Sequence, residues 1–159
     1  MFSGAVGYTD FEFENYPDGA CYKGQTPDRI EANVPFCDWS GNTNQLTPEW
    51  SATVSADFTY PISDYLELRA TVDVIYSDEY FAAPDLDPNL VQDSYTMVNA
   101  RLGVGSADGD WDVALVGKNL TDEEIVTFGN DVPLTGPVQS YFAFVERPAT
   151  VAIQARYRF

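Results

Sequence analysis

Trp50-Ser51-Ala52-Thr53-Val54-Ser55-Ala56-Asp57-Phe58-Thr59-Tyr60 is the stretch whose reading decides the fold. Trp50, Ala52, Val54, Ala56, Phe58 and Tyr60 alternate without a break with Ser51, Thr53, Ser55, Asp57 and Thr59. Successive side chains of a strand point to opposite faces, so this period of two predicts a strand with one apolar and one polar face. Outward from it, Pro61 to Asp64 reads as a tight connection. The next run sets Leu66, Leu68, Ala70, Val72, Val74 and Tyr76 against Glu67, Arg69, Thr71 and Asp73. Further strand-like runs cover Met1 to about Phe13, Ser94 to Gly105, Trp111 to about Val126, and Arg147 to Phe159. The run from Trp111 is apolar on both parities around Val113 to Val116, which leaves its facing open. No helical periodicity of useful length and no low-complexity segment interrupts the series.

Alternation by itself fits a soluble sandwich as well as a membrane barrel. Three features favour the barrel. The runs are about ten residues or longer, where a soluble strand averages about five or six and a bilayer crossing needs about 9–11. The connections alternate in length: Pro61–Asp64 and Ser106–Asp110 are short, while 14–47, 77–92 and 127–146 are long. Periplasmic turns and extracellular loops alternate in that way, so all the long breaks are expected on one side of the membrane. Aromatic residues sit near run ends, with Trp50, Tyr60, Tyr76 and Trp111 as the expected interfacial girdle. The charged residues within runs fall on the polar parity, so Glu67, Arg69, Asp73, Arg101 and Arg156 are expected to face a lumen. On the lipid side a charge would cost about 2–4 kcal/mol at mid-bilayer.

Six strands are too few to close a membrane barrel, and an open edge in lipid leaves backbone groups unpaired. The expected fold is therefore all-β: an antiparallel up-and-down transmembrane barrel of which residues 1–159 form the last six strands. Two other readings stay open. One is a secreted all-β binding module with the apolar parity turned inward; the other is a small porin assembled from copies of the chain.

Composition narrows the function. The 159 residues carry 25 acidic and 8 basic side chains, a formal net charge of −17. Phosphate binding needs a basic surface, so no nucleic-acid partner is expected. Histidine is absent, which removes the commonest general base. No spacing of carboxylates singles out a catalytic pair, so no enzyme and no cofactor are expected. Cys21 and Cys37 flank a polar stretch and suit a disulfide in an oxidising compartment. They do not suit zinc, having no second ligand pair. Asp85-Leu86-Asp87-Pro88-Asn89 opens like a calcium loop but lacks the sixth-position glycine and the closing glutamate, so no metal site is expected there. The acidic sets Asp78, Glu79, Asp85, Asp87, Asp93 and Asp122, Glu123, Glu124, Asp131 read as a solvated face, with lipopolysaccharide and divalent ions as neighbours. Asn119-Leu120-Thr121 fits a glycosylation sequon, but Asn119 and Asp122 are better read as capping a strand bend.

Two segments carry a family resemblance. Trp111-Asp-Val-Ala-Leu-Val-Gly-Lys-Asn-Leu-Thr-Asp122 resembles the penultimate strand of TonB-dependent receptors. Arg147-Pro148 followed by Val-Ala-Ile-Gln-Ala-Arg-Tyr-Arg-Phe159 resembles their last strand, with its terminal aromatic. Thr47-Pro48-Glu49-Trp50 and Tyr95 to Gly103 are similar in style to earlier strands of that family. The resemblance implies a 22-stranded barrel in the outer membrane, plugged by an N-terminal domain, that imports a scarce small-molecule nutrient (a siderophore, vitamin or oligosaccharide) using energy delivered through TonB. It implies that Tyr157 and Phe159 end the signal read by the barrel-assembly machinery. The plug and the N-terminal strands have no counterpart in this sequence.

Overall fold

The computed structural model describes residues 1–133 and 140–159. Its strands are β1 (Phe2–Tyr8), β2 (Arg29–Glu31), β3 (Val34–Phe36), β4 (Trp50–Pro61), β5 (Leu66–Ser77) and β6 (Tyr80–Phe81). They continue as β7 (Val91–Gln92), β8 (Tyr95–Ser106), β9 (Trp111–Lys118), β10 (Val126–Asp131), β11 (Tyr141–Val145) and β12 (Thr150–Tyr157). A 3-10 turn, Pro88–Leu90, precedes β7.

β1, β4, β5, β8, β9 and β12 form one six-stranded sheet in that order. Each pairs antiparallel with its neighbour. The sheet is open and does not close into a barrel. Registers place both short turns at one end: Pro61 pairs with Glu67, Leu66 with Ser106, and Tyr157 with Trp111. The three long connections meet at the other end, where Tyr8 pairs with Trp50, Ser77 with Tyr95, and Lys118 with Thr150.

Three boundaries differ from the sequence reading. The run expected from Trp111 to Val126 is two elements. β9 stops at Lys118 because Asn119 takes a left-handed φ of 49° and Asp122 one of 54°, which turns the chain. The first run ends at Tyr8, short of Phe13. The long connections are not plain loops: they hold the hairpins β2–β3, β6–β7 and β10–β11. The middle of the last one, residues 134–139, lies outside the described residues.

The cross-strand rows separate the two faces. One row reads Phe58, Ala70, Leu102, Leu115 and Ile153; the next reads Tyr60, Leu68, Val104, Val113 and Ala155. This settles the facing of β9: Val113 and Leu115 belong to the apolar face, and Asp112, Ala114 and Val116 to the polar one. Among the described residues no second sheet covers the apolar face. Leu102 is 53% exposed and Ile153 79% exposed. A soluble sandwich would have buried these rows, so the inward-packed alternative does not describe this sheet.

The buried apolar core lies elsewhere. Cys37, Tyr80, Ala82, Ala83, Leu86, Leu90 and Ile125 are all buried, and all belong to the long connections. Of the strands in the main sheet, β9 contributes Ala114.

Candidate functional site

Three surfaces could carry function: the two faces of the sheet and the packed layer of long connections, called the cap below.

The apolar face is bounded by two aromatic belts. At the cap end, the Tyr8 and Trp50 rings lie 4.6 Å apart, with Tyr76 one row below through its partner Ala52. At the turn end stand Tyr60, stacked on Phe58 at 6.3 Å, and Trp111, paired with Tyr157. Tyr157 stacks in turn on Phe159 at 6.4 Å. Trp50 and Tyr60 are ten positions apart on β4. At about 3.3 Å per residue and a tilt near 40°, that spans roughly 25 Å, the height of a lipid-facing apolar band. Tyr and Trp are favoured at such boundaries because one end of the ring system is apolar and the other hydrogen-bonds.

The polar face is tied by side-chain bonds that cross strands. Ser55 Oγ donates to Asp73 at 2.7 Å, and Thr71 Oγ1 donates to Asp57 at 2.9 Å. Within β5, Arg69 donates to Glu67 through Nε at 3.2 Å and Nη2 at 2.9 Å. Arg101 and Arg156 both pair with Asp112, a buried carboxylate. The structure thus gathers Glu67, Arg69, Asp73, Arg101 and Arg156 on one face, opposite the aromatic belts.

The cap is built from the disulfide loop outward. Cys21 and Cys37 are bonded, with Cα atoms 5.1 Å apart. Beside the bond, Gly19 and Cys37 exchange backbone hydrogen bonds at 2.9 and 3.0 Å. Gly19 is required there: a Cβ would sit 2.5 Å from the Trp39 ring. Trp39 donates from Nε1 to the Ala20 carbonyl at 3.1 Å and packs against Phe13 and Tyr16. The Asp38 carboxyl accepts from Ser40 Oγ and Ser40 N, which holds it below the usual carboxylate range.

The other two connections lock onto this loop. Leu46 N donates to Phe81 O at 2.9 Å, and Lys23 N donates to Asp131 Oδ2 at 3.1 Å. Gly129 N donates to Ala82 O at 3.0 Å, and Tyr80 hydroxyl donates to Val126 O at 2.9 Å. A Cβ at Gly129 would come within 2.9 Å of Leu90, so β10 reaches this core because it has glycine there. Asp87 is fully buried and caps the 3-10 turn, accepting from Asn89 N and Nδ2, each at 2.8 Å. Burial raises the pKa of Asp85, with the charges of Asp131 and Asp87 adding to it. Tyr141 is raised by burial first, then by Asp87, Asp131 and Asp85. The connections are therefore not a uniformly solvated acidic face: Asp85 and Asp87 belong to the packed layer. Among the described residues no group of three acidic or cysteine side chains could hold a metal ion.

Asn119 and Asp122 sit at the bend between β9 and the cap. Asn119 N donates to Asn99 Oδ1 at 3.0 Å, and its side-chain amide donates to the Glu123 and Arg147 carbonyls. Asp122 Oδ1 accepts from Ala149 N at 2.8 Å. Sequence reading missed the cap core and the ring row Phe128, Phe142 and Phe144 on β10–β11, of which Phe142 and Phe144 are exposed. The signal was present as Phe81-Ala-Ala and Leu86 among acids, but it has no strand or helix period.

No protein-family model matches the chain, and no curated protein matches it. Solved structures do. The ferric yersiniabactin uptake receptor FyuA of Yersinia pestis superposes with a TM-score of 0.63 at 23% identity, over 78% of this chain and 19% of the receptor. The siderophore receptor PiuA of Acinetobacter baumannii superposes with a TM-score of 0.61 at 20% identity, over 97% of this chain and 18% of the receptor. This chain thus spans less than a fifth of either. At such identity the likeness shows the fold. It is an open antiparallel sheet with its connections, like a stretch of those two receptors.

Proposed function

We propose that this chain is the C-terminal portion of the barrel wall of an outer-membrane TonB-dependent receptor that imports a siderophore. The observation that supports this most is the uncovered apolar face between two aromatic belts, on a sheet whose other face is charged and cross-linked. Hydrocarbon is the surrounding that makes such a face stable, since water would leave its rows unburied. On this reading residues 1–159 supply the last six of about 22 strands. The polar face lines the lumen, the cap projects outward to lipopolysaccharide and ligand, and Tyr157 and Phe159 address the assembly machinery. A plug domain outside this chain would contact TonB. The siderophore class rests on what the two similar receptors are named for.

The test has two parts. Membrane fractions of the native host should hold the protein in a detergent-extractable form whose gel mobility changes on boiling. Deleting the gene should abolish uptake of at least one ferric siderophore under iron limitation. A monodisperse monomer in plain buffer would end the membrane reading. Intact uptake of every siderophore offered, with loss of another nutrient, would end the ligand class alone.

A further inference from the structure

We propose that the polar face carries an oxyanion site, built by Arg69, Arg101 and Arg156 and fitted to a carboxylate. These three guanidiniums, with Asp112 and Gln154, line one pocket of about 240 Å³ near the turn end of the sheet. Three of the chain's 8 basic residues thus meet in one place, in a protein with 25 acidic ones.

The pocket is arranged in advance. Asp112 has a side chain only 5% exposed and holds Arg101 and Arg156 together, the latter at 3.2 Å from Nε. Arg69 is fixed separately by Glu67 and by the Ser106 carbonyl, to which Nη2 donates at 3.2 Å. Glycines on β8 leave room for the pocket. A Cβ at Gly103 would lie 2.9 Å from Ala114 and 3.2 Å from Arg101 Nη1, and one at Gly105 would lie 2.9 Å from Asp112 Cβ. Side chains at these positions would displace the carboxylate and guanidinium that shape the pocket.

Charge counting then asks for a ligand. Within this ion-paired cluster three guanidiniums meet two carboxylates, Glu67 and Asp112, leaving one positive charge in excess, while Asp57 and Asp73 on the same face are taken up by Thr71 and Ser55. One arginine would have sufficed to neutralise Asp112, and bringing further like charges together is unfavourable unless something answers them. Each guanidinium has five N–H donors, and the contacts to Asp112, Glu67 and Ser106 leave donors on all three. A carboxylate matches that fork geometry. It could come from a small molecule or from an acidic side chain of a polypeptide lying against this face. The site is defined by the polar face alone and does not depend on what covers the apolar one.

The experiment uses the complete gene product in detergent micelles, with thermal unfolding read at constant ionic strength in chloride, citrate or inorganic phosphate. Phenylglyoxal labelling with peptide mapping is read alongside. If the ligand is a small carboxylate, citrate raises the melting temperature of the wild type, and Arg156→Gln needs roughly tenfold more citrate for the same rise. If the carboxylate is a resident side chain, added anions do nothing, Arg101 and Arg156 resist labelling, and Arg156→Gln lowers the melting temperature. Arg156 is exposed, so this variant should still fold; Arg101→Lys, which keeps the charge and loses the fork, is the second variant and should behave alike. The proposal is overturned if no anion stabilises, both arginines label as readily as exposed Arg147, and both variants melt as wild type. Gel mobility of the same samples reports separately on the barrel reading.

Discussion

Ile153 in the six-stranded sheet, called the wall below, and Ile125 in the cap are the same side chain in opposite surroundings. The first is 79% exposed and the second 2% exposed. The wall presents its apolar rows outward and ties its polar side chains to one another. The cap buries alanine, leucine and isoleucine inward and leaves its acids mostly outside. Having both teaches that the wall takes its apolar contacts from outside the chain, whereas the cap is held by its own core and its disulfide.

The sharpest way to break this comparison is to make one substitution twice. Ile125→Ala should cost about 2–5 kcal/mol of cap stability, because a buried isoleucine leaves a cavity. Ile153→Ala should cost far less, since Ile153 is exposed and, on the proposed membrane reading, lipid fills the space. Protease resistance of the cap and the heat-modifiable gel band read the two regions separately. Equal losses at both sites would mean that something in the protein covers the wall.

Next in size is a charge on the wall. Leu102→Arg, in the central row, should cost about 2–4 kcal/mol and deplete the heat-modifiable band. Thr53 on β4 faces the other way and lies one pair from Asp73, so Thr53→Arg should be mild. If both are tolerated alike, the faces are not in different media.

How much of this was legible follows from period. β4 and β5 read directly because one parity is apolar throughout, and the lengths of their connections gave the end at which the loops gather. β9 ran on too far because its stop is tertiary: Asn119 turns in order to donate to Asn99, twenty residues back. Its facing stayed open because Ala114 and Val116 are apolar yet lie on the polar face, opposite Gly103 and Arg101. The hairpin β2–β3 carries no usual turn signal, since Ala32 and Asn33 take φ values of 50° and 66° where Asn-Gly is expected. The arginine pocket was half legible. Its arginines fell on the predicted face, but the facing of Asp112 and the convergence of Arg101 and Arg156 on it needed the register between β8, β9 and β12.

The disulfide offers a smaller contrast. Cys21 and Cys37 are 16 residues apart, and opening a loop of that size costs up to about 3 kcal/mol in the chain-entropy model. Cys21→Ser with Cys37→Ser should loosen residues 9–49 to proteases and leave the boiled-versus-unboiled mobility difference intact. A wall that fails to form without the bond would show that the two regions are not separately held.

The finest distinction is electrostatic, and it belongs to the cap. Burial raises the pKa of Asp85 above its unfolded value, helped by Asp131 and Asp87. Between the unfolded and folded pKa values the folded cap therefore binds more protons than the unfolded one, and stability must fall as pH rises through that window. The window opens near the ordinary aspartate pKa of about 4 and extends upward. Asp85→Asn removes the group and should flatten the slope, leaving the cap more stable than wild type above the window. Of the three tryptophans, Trp39 lies in the cap, while Trp50 and Trp111 lie in the wall. In a background of Trp50→Phe and Trp111→Phe, the Trp39 urea transition isolates the cap. A Trp39 transition whose midpoint rises with pH, or whose pH slope survives Asp85→Asn, would mean that Asp85 keeps its charge at no cost and that the cap around it is wetter than its burial indicates.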